Sequence, residues 1–282
     1  MTVFRPKSIQ TTSYRALRSI LLLLSVVAVS ETPCAVAQVE VRPLLRAHAH
    51  NDYLHPHPLH DALAQGFQSV EADIFLVDGR LLVAHERKQI DPDRTLEKLY
   101  LDPLAERLKN GQSSVLPGGS TFWLLIDIKS EAEPTYLALH AVLAKYAKML
   151  VSVVDGQERP GSVQVVISGN RPQATMAAQQ TRYCGIDGRV SDLDSEQPAH
   201  LMPMISDNWS LQFLWRGVGP LPDRERQRLE DIVTRAHARG RRVRFWATPE
   251  SRSVWQVLKQ AHVDLINTDD LSGLAQFLRE IP

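Results

Sequence analysis

The sequence predicts an α/β chain closed into a (β/α)8 TIM barrel, and three observations carry that prediction. Strand-like and helix-like patterns alternate about eight times between residues 41 and 278. Charged and polar residues gather at the carboxyl ends of the strand-like runs, where a barrel keeps its site. No Gly-x-Gly-x-x-Gly follows a strand-like run, which weighs against a doubly wound dinucleotide-binding sheet.

Val41 to His48 reads as a strand ending in histidines. Leu59, Ala62 and Leu63 share one face of a short helix over 58–65, which Gly66 stops. From Ser69 to Phe75, Val70, Ala72 and Ile74 alternate with Ser69, Glu71 and Asp73; a strand there puts Glu71 and Asp73 on one face. Asp78-Gly79 is a hairpin turn, and a return strand from Leu81 to Ala84 ends at His85. Leu96, Leu99, Leu104 and Leu108 stripe a helix over 96–109. Phe122 to Lys129 is a continuous apolar run closing in a charge pair, the pattern of a buried strand. Pro134 opens a helix that runs to Met149. Val163, Val165 and Ile167 mark a strand over 161–168, followed by Gly169-Asn170-Arg171-Pro172 and a helix to Thr181. Short strands near 183–186 and over 201–205 precede an amphipathic helix from Asp223 to Arg239, which ends at Gly240. Arg242 to Ala247 is a strand, Ser251 to Ala261 a helix, Val263 to Ile266 a strand, and Leu271 to Leu278 the closing helix. Residues 154–162, 186–200 and 216–222 read as irregular.

Not all of the 282 residues are expected to enter this fold. Arg5, Lys7, Arg15 and Arg18 precede an apolar run from Ser19 to Val29, and Ala35-Val36-Ala37 supplies a small-x-small site. That is the pattern of a secretory signal peptide. The run is shorter than the roughly 20 residues of a spanning helix. Residues 1–37 are therefore expected to be cleaved and the product exported, to the periplasm or beyond, with residues 38–282 as a single domain. The whole chain holds 32 bases and 32 acids, and the leader takes four bases and one acid, so the mature part carries a formal charge of −3. Such a balance excludes nucleic acid as a general electrostatic partner. Cys184 is then the single remaining cysteine, which leaves no internal disulfide and suggests a buried, inert thiol.

Barrel geometry brings strand ends together. His48 and His50 end the first strand, Glu71 and Asp73 lie in the second, and His85 follows the return strand. Asp127 and Lys129, Ser168 and Arg171, Asp207, Trp246, and Asn267-Thr268-Asp269 end later ones. A lone Glu-x-Asp is ordinarily solvated surface; this one stands out through the histidines and the Ile126-Asp127-Ile128-Lys129 run in its company. Three carboxylates in one cup repel, so either a proton stays on or a divalent cation neutralises them. Oxygen ligands without a nearby cysteine suit Mg²⁺ or Ca²⁺. The histidines suit acid and base roles, with an ordinary pKa near 6.5. The cation, a lysine and an arginine would stabilise a phosphorane-like transition state. His55, His57 and His60, set between prolines, read as solvent-exposed. Arg239, Arg241, Arg242 and Arg244 read as a solvated rim.

The order His48-x-His50, Glu71-x-Asp73, His85-Glu86, Phe122-Trp123 and Ile126-Asp127-Ile128-Lys129 resembles the glycerophosphodiester phosphodiesterase and phospholipase-C-like phosphodiesterase superfamily, which includes the sphingomyelinase D type. His48 to Tyr53, Ser69 to Asp73, Gly169 to Pro172 and Asn267 to Leu271 look most like its altered-inheritance-of-mitochondria branch, and the likeness spans about residues 44 to 278. The resemblance implies a phospholipase-C-like TIM barrel that cleaves phosphodiesters. It implies His48 and His85 as the acid/base pair, with His50 the alternative to His48. Glu71, Asp73 and Asp127 match the metal ligands, Lys129 the lysine on phosphate or substrate, and Trp246 the aromatic lining; Asn51 joins the substrate-binding set. The implied chemistry is attack on phosphorus by a hydroxyl of the substrate, then a cyclic phosphate that water can open. Two departures stand out. The signature His-Arg-Gly … Pro-Glu-Asn-Thr is absent, which leaves Arg171 as the candidate phosphate arginine, and the third ligand is Asp127 where glycerophosphodiesterases usually carry Glu. The expected substrate is a small-molecule or lipid phosphodiester taken by a monomer, and a lipid would bring peripheral membrane contact. The alternatives are C- or D-type cleavage of a lipid, and a non-catalytic binding barrel.

Overall fold

A computed structural model describes residues 41–109 and 112–280. The signal peptide expected over residues 1–37 lies outside the described residues. In chain order the strands are β1 (Leu44–Ala49), β2 (Phe67–Val77), β3 (Arg80–Val83), β4 (Phe122–Ile128), β5 (Ser152–Val154), β6 (Gln157–Arg159), β7 (Val163–Gly169), β8 (Thr181–Arg182), β9 (Gly185–Gly188), β10 (Met204–Asn208), β11 (Arg242–Trp246) and β12 (Leu265–Thr268). The helices are α1 (His60–Ala64), α2 (Asp102–Arg107), α3 (Ala132–Ala144), α4 (Gln173–Ala178), α5 (Trp209–Gln212), α6 (Asp223–Ala238), α7 (Arg252–Gln260) and α8 (Leu271–Glu280).

Parallel pairing runs β1-β12-β11-β10-β9-β7-β4-β2, and β2 pairs back to β1. The sheet is a closed eight-stranded barrel, as expected of a (β/α)8 fold. The hairpin strand β3 adds antiparallel to β2 outside the ring.

Period 2 along each strand organises the interior. Trp123, Leu125, Val166, Met204 and Leu265 form an apolar cluster of their own inside the barrel. Two residues further along the same faces stand Asp127, Ser168, Ser206 and Asn267. An apolar floor thus passes into a polar cup toward the carboxyl ends. The remaining core lies between strands and helices.

Three local readings change. Over 96–109 the stripe continues, but Glu97–Leu101 is a π turn and α2 follows it. Pro103 has no N–H and its ring crowds the carbonyl four residues back, so the backbone widens there. The stretch read as irregular at 154–162 contains the β5–β6 hairpin. Its turn, Asp155-Gly156, has both φ values positive, and that dipeptide is the signal for it. The barrel strand β9 also starts ahead of a stretch read as irregular; its two glycines and Asp187 leave no apolar alternation to read.

Candidate active site

The cup is built by strand ends. Parallel register sets Asp73 beside Asp127 and Asp127 beside Ser168. One carboxylate oxygen each from Glu71, Asp73 and Asp127 lies within 4.8 Å of the other two. Gly169 makes room for this. Its φ is +66°, and a Cβ there would stand 2.1 Å from Asp127 Oδ1, so the Gly169-Asn170-Arg171-Pro172 turn needs glycine for backbone and packing reasons together.

Two side-chain cations are already built into the cluster. Lys129 Nζ lies 3.1 Å from Asp73 Oδ2 and 3.3 Å from Asp127 Oδ2. Arg244, buried on β11, donates to Glu71 Oε2 at 2.5 Å and to Asn267 Oδ1 at 2.9 Å. Burial alone would raise the Glu71 carboxyl, but the Arg244 guanidinium and the His48 contact hold it well below the usual range. Burial pushes Asp127 up to about 6 against the pull of Lys129, and raises Asp73 with the help of Glu71.

The residues fit a divalent cation. Asp73 Oδ1 and Asp127 Oδ1 are buried and have no hydrogen-bond partner. Orphaned carboxylate oxygens in a cluster of three acids are what an oxygen-ligated cation takes up. Asp73 Oδ2, by contrast, is crowded: Tyr53 Oη lies at 2.6 Å, His85 Nδ1 at 3.0 Å and Lys129 Nζ at 3.1 Å. With Tyr53, His85 and Lys129 around Oδ2, Oδ1 is left as the open acceptor.

The three histidines occupy different places. His48 is wholly buried, with Nδ1 2.7 Å from Ser69 Oγ and Nε2 3.3 Å from Glu71 Oε2. Burial, aided by Arg244, drives its pKa down to about 3. It supports Glu71 and has no exposed edge to offer a substrate, which departs from the acid/base place the resemblance implied. The reason is again period 2: His48 faces the interior one step below the strand end. His50 and His85 do reach the mouth. His50 Nδ1 is 2.8 Å from Asp269 Oδ1, and His85 Nδ1 is 3.0 Å from Asp73 Oδ2. Each ring is therefore anchored through Nδ1 by a carboxylate. Asn51 and Tyr53 connect them: Asn51 Nδ2 is 2.8 Å from His50 Nδ1, Tyr53 Oη is 2.6 Å from Asn51 Oδ1, and Tyr53 Oη is 3.1 Å from His85 Nδ1.

Arg171 and Trp246 both lie half-buried on the mouth, and the guanidinium of Arg189 stacks over the Trp246 ring, 4.9 Å from its centre. The Arg171 Nε is buried without a partner.

Sequence reasoning missed Tyr53, Arg189 and Arg244. The solvated-rim reading of the arginine cluster is corrected for Arg241 and Arg244, which are 1% and 2% exposed. Arg241 donates to the carbonyls of Asp192, Ser195 and Gln197. Arg244 sits two residues before Trp246, so one face of β11 carries both inward, a spacing visible in the sequence. Substituting Arg244→Met should cost about 3–5 kcal/mol, because it strands the buried Glu71 carboxylate. Urea unfolding in EDTA measures this; a loss below about 1 kcal/mol would show that Glu71 does not depend on it.

Comparison with known proteins follows the same lines. A family profile described as "AIM6-like phosphodiesterase domain" matches residues 37–186. The chain is 29% identical over 283 positions to Altered inheritance of mitochondria protein 6 of Eremothecium gossypii, covering 86% of this chain and 72% of that protein. It is 27% identical over 260 positions to the Altered inheritance of mitochondria protein 6 homolog of Arthroderma benhamiae, covering 80% and 81%. A crystal structure of a glycerophosphodiester phosphodiesterase from Parabacteroides distasonis aligns with 83% of this chain and 97% of its own at 14% identity, with a TM-score of 0.49.

Proposed function

The chain belongs to the AIM6-like phosphodiesterase family, and from that premise we propose that it is an exported, metal-dependent phosphoric diester hydrolase. One observation carries the reading: Glu71, Asp73 and Asp127 converge, with two orphaned buried oxygens, in a mouth that also holds two carboxylate-anchored histidines.

Glu71, Asp73 and Asp127 would hold Mg²⁺ or Ca²⁺. Bound there, a divalent cation supplies electrostatic stabilisation to a phosphoryl oxygen as negative charge grows on it. Lys129 stands beside the same oxygens and adds a fixed positive charge. His50 and His85 are the acid/base pair, with His48 in support. The Asp73 carboxylate at Nδ1 of His85 favours a proton there, and neither ring's Nε2 is held by another group among the described residues, so each can exchange a proton. One takes the proton of the attacking hydroxyl, which the substrate itself carries; the other gives a proton to the departing alcohol. A cyclic phosphate results, and water can open it by the reverse roles.

EDTA should abolish cleavage of a glycerophosphodiester, which carries the attacking hydroxyl, and Mg²⁺ or Ca²⁺ should restore it. Full activity in EDTA would remove the cation from the reading. A lipid diester is the second reading, favoured by the exposed Leu211, Leu214 and Val218 on the segment that follows β10 at the carboxyl end of the barrel. Phosphorus NMR of the products from each substrate separates the two.

A further inference from the structure

The arc of the mouth formed by β7, β9, β10 and β11 carries no member of the acidic cluster. Its centre is Asp187, which is fully buried. Asp187 accepts from Ser206 Oγ at 2.6 Å, from Ser168 Oγ at 2.8 Å and from Arg189 Nη1 at 2.8 Å. Nη1 also reaches the carbonyls of Asp187 and Gly188, at 3.2 and 3.0 Å. Almost all of the bonding of Arg189 thus goes through one nitrogen. Nη2 has a single long contact, 3.4 Å from Ser168 Oγ. The guanidinium is held in place, and among the described residues its other edge has no closer partner.

That guanidinium lies on the Trp246 ring. Arg171 stands close by, because its Nη1 contacts the carbonyl of Gly169 and Arg189 Nη2 contacts the hydroxyl of the adjoining Ser168. Arg171 makes one long bond to the Gly169 carbonyl, at 3.4 Å, and no ion pair with it is found among the described residues. Asp207, at the end of β10, is occupied by the backbone N–H groups of Val190 and Asn208 and by Gln212. Two guanidiniums therefore stand at the edge of the cup, and Asp187 is paired with Arg189. Like charges brought together with spare donors make a site for an anion.

A bare tryptophan face in such a mouth would attract a quaternary ammonium head group. Here a fixed positive charge already covers it. We propose that Arg189, positioned by Asp187 and stacked on Trp246, sets substrate specificity: together with Arg171 it binds a second anionic group, a carboxylate or phosphomonoester on one of the alcohols, and it excludes cationic head groups from Trp246. The inference rests on the phosphodiesterase reading above and names its substrate class.

The test compares glycerophosphodiesters whose second alcohol is choline, ethanol or glycolate, which are cationic, neutral and anionic at that end. The wild type should give the highest kcat/KM with glycolate and the lowest with choline. In Arg189→Ala the glycolate-to-choline ratio should fall by roughly 10–100-fold, the range of one charge-assisted bond lost and one aromatic face uncovered. Arg189→Lys keeps the charge and should keep the order of preference. Because Arg189→Ala strips Asp187 of its cation, Arg171→Ala, which leaves that buried acid paired, is measured beside it and should lower the same ratio. An unchanged ratio in both alanine variants overturns the inference. Calorimetric binding of inorganic phosphate and of choline to the full chain in EDTA separates the two levels. If no diester is turned over, yet phosphate binding weakens and choline binding strengthens in Arg189→Ala, the hydrolase reading fails and the anion site stands. If diesters are turned over and neither binding changes, the anion site fails alone.

Discussion

His85→Ala is expected to lower turnover by roughly 10²–10⁴-fold, the contribution of one acid/base group, with little change in stability. The side chain is about half exposed, 49% by area. Its ring is held on one edge by Asp73 Oδ2 and Tyr53 Oη, which directs the other edge outward. A group so placed is costly to hold in one orientation unless that orientation is used. Steady-state kinetics on a diester with a good leaving group and on one with a poor leaving group add a second readout. If His85 protonates the departing alcohol, the poor leaving group suffers more, because it needs the proton more. Unchanged turnover with both substrates would take His85 out of the chemistry, and an equal loss with both would give it the base role instead. The same substitution at His48 should act differently. His48 is buried between Ser69 and Glu71, so its loss should appear first in unfolding.

Asp73→Asn should weaken Mg²⁺ and Ca²⁺ binding by more than roughly 10²-fold, beyond what loss of an outer partner costs, and abolish turnover with it. The fold should survive for a specific reason. The asparagine oxygen can take the place of Oδ2 and keep Tyr53, His85 and Lys129 as donors. The amide nitrogen then stands where Oδ1 has no partner. A donor would point to the place where a cation needs an acceptor, so metal is lost while packing is kept. Calorimetric titration with each metal, alongside near-ultraviolet circular dichroism, reads both. A titration like that of the wild type would move the cation away from Asp73.

Much of the site was legible because strand periodicity is local. Glu71 and Asp73 alternate with Val70, Ala72 and Ile74, and that alternation alone places both acids on one face. Asp127 closes a run whose apolar residues leave it no other strand end. Gly169 was visible as a turn glycine, but not as the residue that gives the Asp127 carboxylate its space. The arginines were misjudged for a physical reason. In a linear chain Arg239, Arg241, Arg242 and Arg244 look like one charged block. Their fates depend on which way each points and on what lies across the barrel: carbonyls of the 192–197 loop for Arg241, the Trp123 ring for Arg242, and Glu71 for Arg244.

The sequence by itself determined the alternation of strands and helices, the face on which each acid lies, and the family likeness carried by the histidine, acid and lysine motifs. These rest on spacings of two to a few residues, which the backbone enforces locally. Only the tertiary structure decided which histidines open onto the mouth, that Lys129 and Arg244 share the neutralisation of three acids, and that Arg189 covers Trp246. Each of these depends on a partner far away in the chain: Glu71 and Arg244 stand 173 residues apart, and His50 and Asp269 219. Closing the barrel brings such strand ends to a few ångströms, where charge and hydrogen bonding act.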